Sequence, residues 1–273
     1  MADTTVEQTS NEELKSEHTG WGRRVLDTFI NPDRSFEVIR DHKSIAWILT
    51  ALVIITAIAF PQILIIQRTI AQFRTEGPDI PPSAGFSEEE LAQMQAATPT
   101  FTFWIGLVGA IVGLMIIWLL WSGIILLFVS MFGGRTEFGR LWRLAVWTSL
   151  PLAIQGIING IYLSVAGGVL PLLTSLAAFL NNPMEQFTAS FESGTSAQDF
   201  TAFTPPSAGE MALFSLAGSL DIFSIWRLLL LVLGVMVIAK LNWKKSAAII
   251  FIPWLIGVGI SVGASSLVST FSF

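Results

Sequence analysis

Cysteine is absent from this 273-residue chain, which excludes disulfides, thiolate nucleophiles and Cys-based metal sites. Histidine is nearly absent too. The two present, His18 and His42, both precede the first long apolar run, leaving no imidazole for a metal or proton-transfer site among the apolar segments. Charge is scarce: only 13% of residues are Asp, Glu, Lys or Arg, against roughly 25% in soluble domains. A water-soluble core is therefore not expected. The net charge of −5 and the pI near 5.1 leave no basic excess for a phosphate-binding surface, which argues against nucleic acid as a partner. No nucleophile set is recognisable, and the polar loops are too short for a soluble catalytic domain. The composition thus predicts neither an enzyme nor a cofactor site.

Apolar residues are abundant, at 52% of the chain with a mean hydropathy of +0.65. Lipid offers no partner for backbone N–H and C=O groups, so a run of about 20 apolar residues is stable in a bilayer only as a helix about 30 Å long. Five runs fit, at 44–66, 101–131, 141–165, 221–239 and 246–267. The expected fold class is all-α: a polytopic membrane helical bundle of five transmembrane helices, preceded by an interfacial helix. Twelve of the fifteen Lys and Arg lie before the first run, between the second run and the first turn of the third, or between the fourth and fifth. The other loops are acidic, with Glu76, Asp79, Glu88, Glu89 and Glu90 in one and Glu185, Glu192 and Asp199 in the other. Basic residues are retained on the cytoplasmic side. The pattern predicts a multi-pass protein of the cell membrane with a cytoplasmic N-terminus and an extracytoplasmic C-terminus, in contact with the lipid bilayer.

Residues 1–20 are polar and lack the basic-then-apolar form of a secretory signal, so the first span is expected to persist and the tail to be disordered. Residues 21–43 form an amphipathic juxtamembrane region, 44–268 the membrane domain and 269–273 a short tail. Trp21, Val25, Leu26, Phe29 and Ile30 recur at helical spacing opposite Arg23, Arg24 and Asp27, which predicts a helix anchored on the membrane surface. Asn31-Pro32 reads as the cap and first position of a second helix running to Asp41, with Phe36 and Ile39 toward lipid or the bundle. Ser87 before Glu88, Glu89 and Glu90 predicts a short surface helix to about Ala96, whose carboxylates complement the helix dipole rather than hold a cation. Pro151 should kink the third span. The apolar stretch 171–180 is too short to cross, and is interfacial, re-entrant or an extension of span three.

Three residues stand out at membrane depth. Gln155 and Asn159 sit at i, i+4 beside Gly156 and Gly160, where buried amides serve either interhelical hydrogen bonds or a substrate path. Arg227 is the one cation well inside an apolar run, a position costing about 2.5 to 3.5 kcal/mol unless the side chain reaches water or an anion. Asp221 and Glu210 are its expected partners near the outer interface. Gly106, Gly109 and Gly113 in span two, and Gly259 and Gly263 in span five, form faces suited to close helix approach. For span two we expect internal packing, with self-association as the other use. Two functional readings follow: a noncatalytic protein of membrane organisation or protein interaction, or a small-solute transporter or channel using the polar residues of spans three and four. The odd number of spans and the lack of an inverted repeat disfavour the second.

Short motifs recur in order along the chain: Asn31-Pro32 with Phe36, Phe132-Gly133-Gly134 with Phe138, Pro151, then Asp221-Ile222-Phe223-Ser224-Ile225-Trp226, and Gly234. With these the chain resembles, over roughly residues 25–265, the Yip1-domain family of five-span membrane proteins with a cytoplasmic N-terminus. The Asp-x-Phe-Ser-x-Trp stretch is the most specific part, and singles out Asp221, Phe223 and Trp226. The resemblance implies an integral membrane component rather than a catalyst. Eukaryotic members are linked to Rab GTPases and to traffic between endoplasmic reticulum and Golgi, and typically carry a cytoplasmic Asp-Leu-Tyr-Gly-Pro motif. Here the only tyrosine is Tyr162, so the chain looks more like the prokaryotic branch, and binding of a Rab-type GTPase is not expected.

Overall fold

A computed structural model describes residues 20–41, 45–76, 88–166, 174–180 and 207–268. The expectations for residues 1–19, the Ser87 cap, the acidic stretch 181–206 and the tail 269–273 lie outside the described residues. In chain order the helices are α1 (Trp21–Ile30), α2 (Pro32–Asp41), α3 (Ala46–Glu76), α4 (Glu88–Met131), α5 (Phe138–Trp147), α6 (Leu150–Ala166), α7 (Ala208–Ser219), α8 (Ile222–Ala239) and α9 (Trp243–Val268), with a 3-10 turn at Leu176–Phe179 before α7. Among the described residues, five stretches are long and apolar enough to cross a membrane: Ala46–Ile65, Trp104–Met131, Phe138–Val165 across α5 and α6, Ile222–Ala239 and Trp243–Ser266. The protein is an all-α, five-span membrane bundle.

Span three is broken rather than merely kinked. Pro151 has no N–H to return to the preceding turn, and the chain interrupts the helix at Thr148 and Ser149, both fully buried. Their hydroxyls donate back to the carbonyls of Leu144 and Ala145, each at 2.8 Å. The Trp118 indole N–H of α4 donates to Ser149 Oγ at 3.0 Å. The break is therefore internally satisfied, as polar backbone in lipid must be. The short surface helix expected at 88–96 is not separate, because α4 continues through Pro99 for 44 residues. A single proline removes one hydrogen bond from a helix of that length. α7 was not expected from periodicity. α9 begins at Trp243, before the expected Ser246, because Asn242 Oδ1 accepts the Lys245 N–H at 2.9 Å and caps the helix there.

α5, α6 and α8 form the centre, with α9 on the flank. The apolar window of α5–α6 is 61% buried and that of α9 only 11%. α6 lies against α3 because two glycines permit it. A Cβ on Gly156 would strike the Ala57 carbonyl, and one on Gly160 would strike the Phe60 ring. Gly109 and Gly113 behave oppositely. A Cβ on either meets open space, so internal packing is not their role. The buried stripe of α4 is Trp118, Ser122, Ile125 and Val129, and at 3.6 residues per turn both glycines fall on the far side of the helix from Trp118. Gly133, at φ +80°, ends α4 by letting the Gly134 N–H return to the Val129 carbonyl at 2.9 Å, the left-handed C-terminal stop that only glycine adopts freely.

α1 and α2 occupy their expected spans and form a hairpin, closed by a 3.0 Å hydrogen bond between the buried Thr28 and Ser35 hydroxyls. The apolar face of α1 is divided. Trp21, Val25 and Phe29 pack on the bundle, whereas Leu26 and Ile30 stay exposed. The Trp21 indole N–H donates to Thr50 Oγ1 of α3 at 3.0 Å, and the Phe29 ring meets that of Trp226 edge-on at 5.1 Å. Phe36 of α2 is fully buried, so α2 faces the bundle rather than lipid. The hairpin is thus docked on the protein and is not a free surface anchor.

Candidate functional site

Among the described residues, Asp221 is the best-connected polar side chain at membrane depth. It caps α8, Oδ1 accepting the N–H groups of Phe223 at 2.8 Å and Ser224 at 3.0 Å, which satisfies two of the donors that a helix start leaves unpaired. Oδ2 accepts from Gln155 Nε2 at 2.9 Å and from the Thr174 hydroxyl. Gln155 also donates to Thr174 Oγ1 at 2.9 Å. The backbone supports the same junction: Ser175 pairs with Asp221 in an isolated antiparallel bridge, with Ile222 N donating to the Thr174 carbonyl and Leu176 N to the Leu220 carbonyl, each at 3.2 Å. Asp221 is 4% exposed. The carboxylate thus joins α6, α8 and the chain before α7 into one polar knot.

Arg227 does not join it. Neither Asp221 nor Glu210 lies within ion-pair distance, so the expected pairing is corrected. The Asp221 oxygens are filled by the donors above. Glu210 is engaged at the start of α7, where Ser207 donates its hydroxyl at 2.7 Å and its N–H at 2.9 Å, and Glu210 N donates back to Ser207 Oγ at 3.2 Å. The Ser207 hydroxyl, and then its amide, hold the Glu210 carboxyl below the ordinary carboxylate range. Arg227 instead places its guanidinium carbon 5.8 Å from the centroid of the Trp121 ring of α4, within reach of a cation–π attraction. Its Nε is enclosed with no hydrogen-bond partner among the described residues.

Of the other residues singled out by sequence, Trp226 meets the Phe29 ring edge-on and closes the docking of α1. Phe223 contributes its amide to the Asp221 cap. Asn159 lies one turn beyond Gln155 but makes no contact with the knot, and its Oδ1 is enclosed without a partner among the described residues. Gln155, Asp221 and Phe223 are therefore brought together, while Asn159, Trp226 and Arg227 stand apart. Thr174 and Trp121 escaped the sequence reading. Thr174 lies in a stretch without periodicity, and nothing separates Trp121 from the nine other tryptophans except its contact with Arg227. Among the described residues no cluster of His, Asp and Glu is placed to hold a metal.

The motif residues share one property, that each sits where two elements meet. Gly133 ends α4. A Cβ on Gly134 would meet Val129 and Leu241, so the α4–α5 turn lies close against the α8–α9 turn, and the Lys245 ammonium donates to the Phe132 carbonyl across the same junction at 3.0 Å. Pro151 breaks span three, Asp221 ties the knot, and Gly234 receives the Leu144 side chain. No curated protein and no solved structure matches the chain. The sequence profile of the Yip1 domain matches residues 26–264, nearly the whole of the membrane bundle and its docked hairpin, and the chain belongs to the Yip1 domain family.

Proposed function

We propose that this integral membrane protein of Yip1 type acts without catalysing a reaction, in membrane organisation or in interaction with other membrane proteins. The observation that carries the reading is the use made of the polar residues at membrane depth. Gln155 and Asp221, which a solute path would need free, are engaged with each other and with Thr174, while α4 and α9 present long apolar flanks on which Gly113 and Gly259 meet open space. Small residues on an exposed helix face let another helix approach closely, which suits a second membrane protein or a second copy of this chain. Nothing in the chain favours binding of a Rab-type GTPase. The charge pattern supports residence in the cell membrane with the N-terminus in the cytoplasm.

The test uses the cysteine-free background. Single cysteines at Gly113 and Gly259, crosslinked in native membranes, should give discrete products of defined mass, whereas a control at Leu231, buried in the core, should give none. Solute flux into proteoliposomes carrying the purified protein, abolished by Gln155→Leu, would overturn the reading in favour of transport.

A further inference from the structure

A groove open at the surface, about 290 Å³ in volume, runs between α4, α7, α8 and α9. Its walls change character along its length. Ser219, Ser224 and Ser261 lie at the end beside the start of α8, and Trp121, Pro253 and Trp254 lie further along. α8 and α9 are joined by a short turn and run antiparallel, so Ser261, late in α9, sits level with the beginning of α8, while Pro253, near the middle of α9, is at mid-membrane depth. A Cβ on Gly218 or Gly257 meets nothing within 4 Å, so bare backbone forms part of the wall and leaves the space open. The groove is polar near the membrane surface and apolar below, the gradient of a phospholipid.

Arg227 adds charge at its margin. Side chains on a helix lean toward their own N-terminus, which carries the guanidinium toward the level of Ser224, one turn earlier on the same face. The Trp121 ring that lines the groove is the ring 5.8 Å from that guanidinium. No carboxylate among the described residues pairs with Arg227, and its Nε is enclosed and unpartnered. A planar guanidinium with free donors matches a phosphate group. The groove is open at the surface of a bundle whose helices α4 and α9 are apolar and largely unburied, so lipid has access to it.

We infer that this groove is a binding site for one anionic phospholipid, whose phosphate engages Arg227 and the serine hydroxyls while an acyl chain lies against Trp121 and Trp254. The inference stands independently of the interaction role above. Binding is read on the full chain in detergent by native mass spectrometry and by thermal shift, with phosphatidylglycerol, phosphatidylcholine or inorganic phosphate added. Phosphatidylglycerol should be retained preferentially and raise Tm saturably, and inorganic phosphate should do neither. Arg227→Gln should weaken retention by at least about tenfold, the effect of losing hydrogen bonds to a charged group, with Arg227→Lys in between. Gly257→Leu, whose Cβ meets nothing within 4 Å and whose longer side chain extends into the groove, should weaken it as much while leaving the Tm without lipid intact, and so serves even if the Arg227 variant fails to fold. Equal retention of the two lipids, retention by Gly257→Leu like that of the parent, or a phosphate shift matching the lipid's would each overturn the lipid site, the last reassigning it to a small anion.

Discussion

Asp221 accepts two backbone N–H groups and two side-chain donors while almost wholly buried, so its removal has two costs. Losing a helix cap costs about 1 kcal/mol, and stranding buried donors adds about 1 to 3 kcal/mol. We expect Asp221→Ala to lower stability in nanodiscs by about 3 kcal/mol, and its combination with Gln155→Leu to fall short of the sum by about 1 kcal/mol, since contacting residues couple. The same measurement separates the two accounts of Arg227. Arg227→Leu and Asp221→Asn should be additive, whereas Arg227→Leu and Trp121→Leu should show a coupling of about 0.5 to 2 kcal/mol, the range of a cation–π contact. Glu210 supplies a pH signature. Its carboxyl is held below the ordinary range by Ser207, so its stabilisation of α7 is present above the ordinary carboxylate pKa and is lost as pH falls through the lowered one. Hydrogen exchange at the start of α7 should therefore be faster in Glu210→Gln than in the parent at neutral pH, and the two should converge in acid.

At the scale of helices, glycines that look alike in sequence have opposite settings. Gly156→Ala would drive a methyl into the Ala57 backbone, which cannot move aside, and should cost about 1 to 3 kcal/mol as overpacking does. Gly113→Ala faces open space and should change stability by less than about 0.5 kcal/mol. Thermal unfolding of the two variants tests the α3–α6 contact directly. Local signals made most helices readable in the sequence: Trp21 to Ile30 by periodicity, α2 by Asn31-Pro32, the end of α4 by Gly133-Gly134, and a kink in span three by Pro151, where the protein makes a full break. α7 was not readable, because Ala208–Ser219 has no apolar stripe, although Ser207 and Glu210 already formed a capping pair at its start. The site was half legible for a related reason. Gln155 and Asp221 each stand out as polar groups near lipid, but their contact spans 66 residues, and no local rule joins them. For Arg227 the sequence logic looked for a carboxylate, while the protein supplies an aromatic ring.

For the whole molecule, the alternation of basic and acidic segments makes orientation testable without disturbing the fold. Single cysteines at Ser272 and at Lys244, made in a background free of thiols, should react oppositely with an impermeant reagent on intact cells, Ser272 before permeabilisation and Lys244 only after it. The reverse pattern would invert the proposed topology.

The α1–α2 hairpin carries a consequence for the lipid around it. Trp226, which Phe29 touches, lies 13 residues from Ala239 at the far end of the 18-residue α8, a rise of about 20 Å, while Trp21 at the other end of α1 is held by Thr50, in the second turn of α3. α1 therefore climbs into the thickness of the membrane instead of lying along its face. The hairpin takes Asp33, Arg34 and Glu37 with it, all three exposed, and exposed charges at that depth draw water and headgroups inward. On this side the hydrocarbon layer is expected to thin, one leaflet dipping toward the protein. Such a lopsided collar would strain the surrounding sheet, and two copies bearing the same dent would relieve that strain by sharing it.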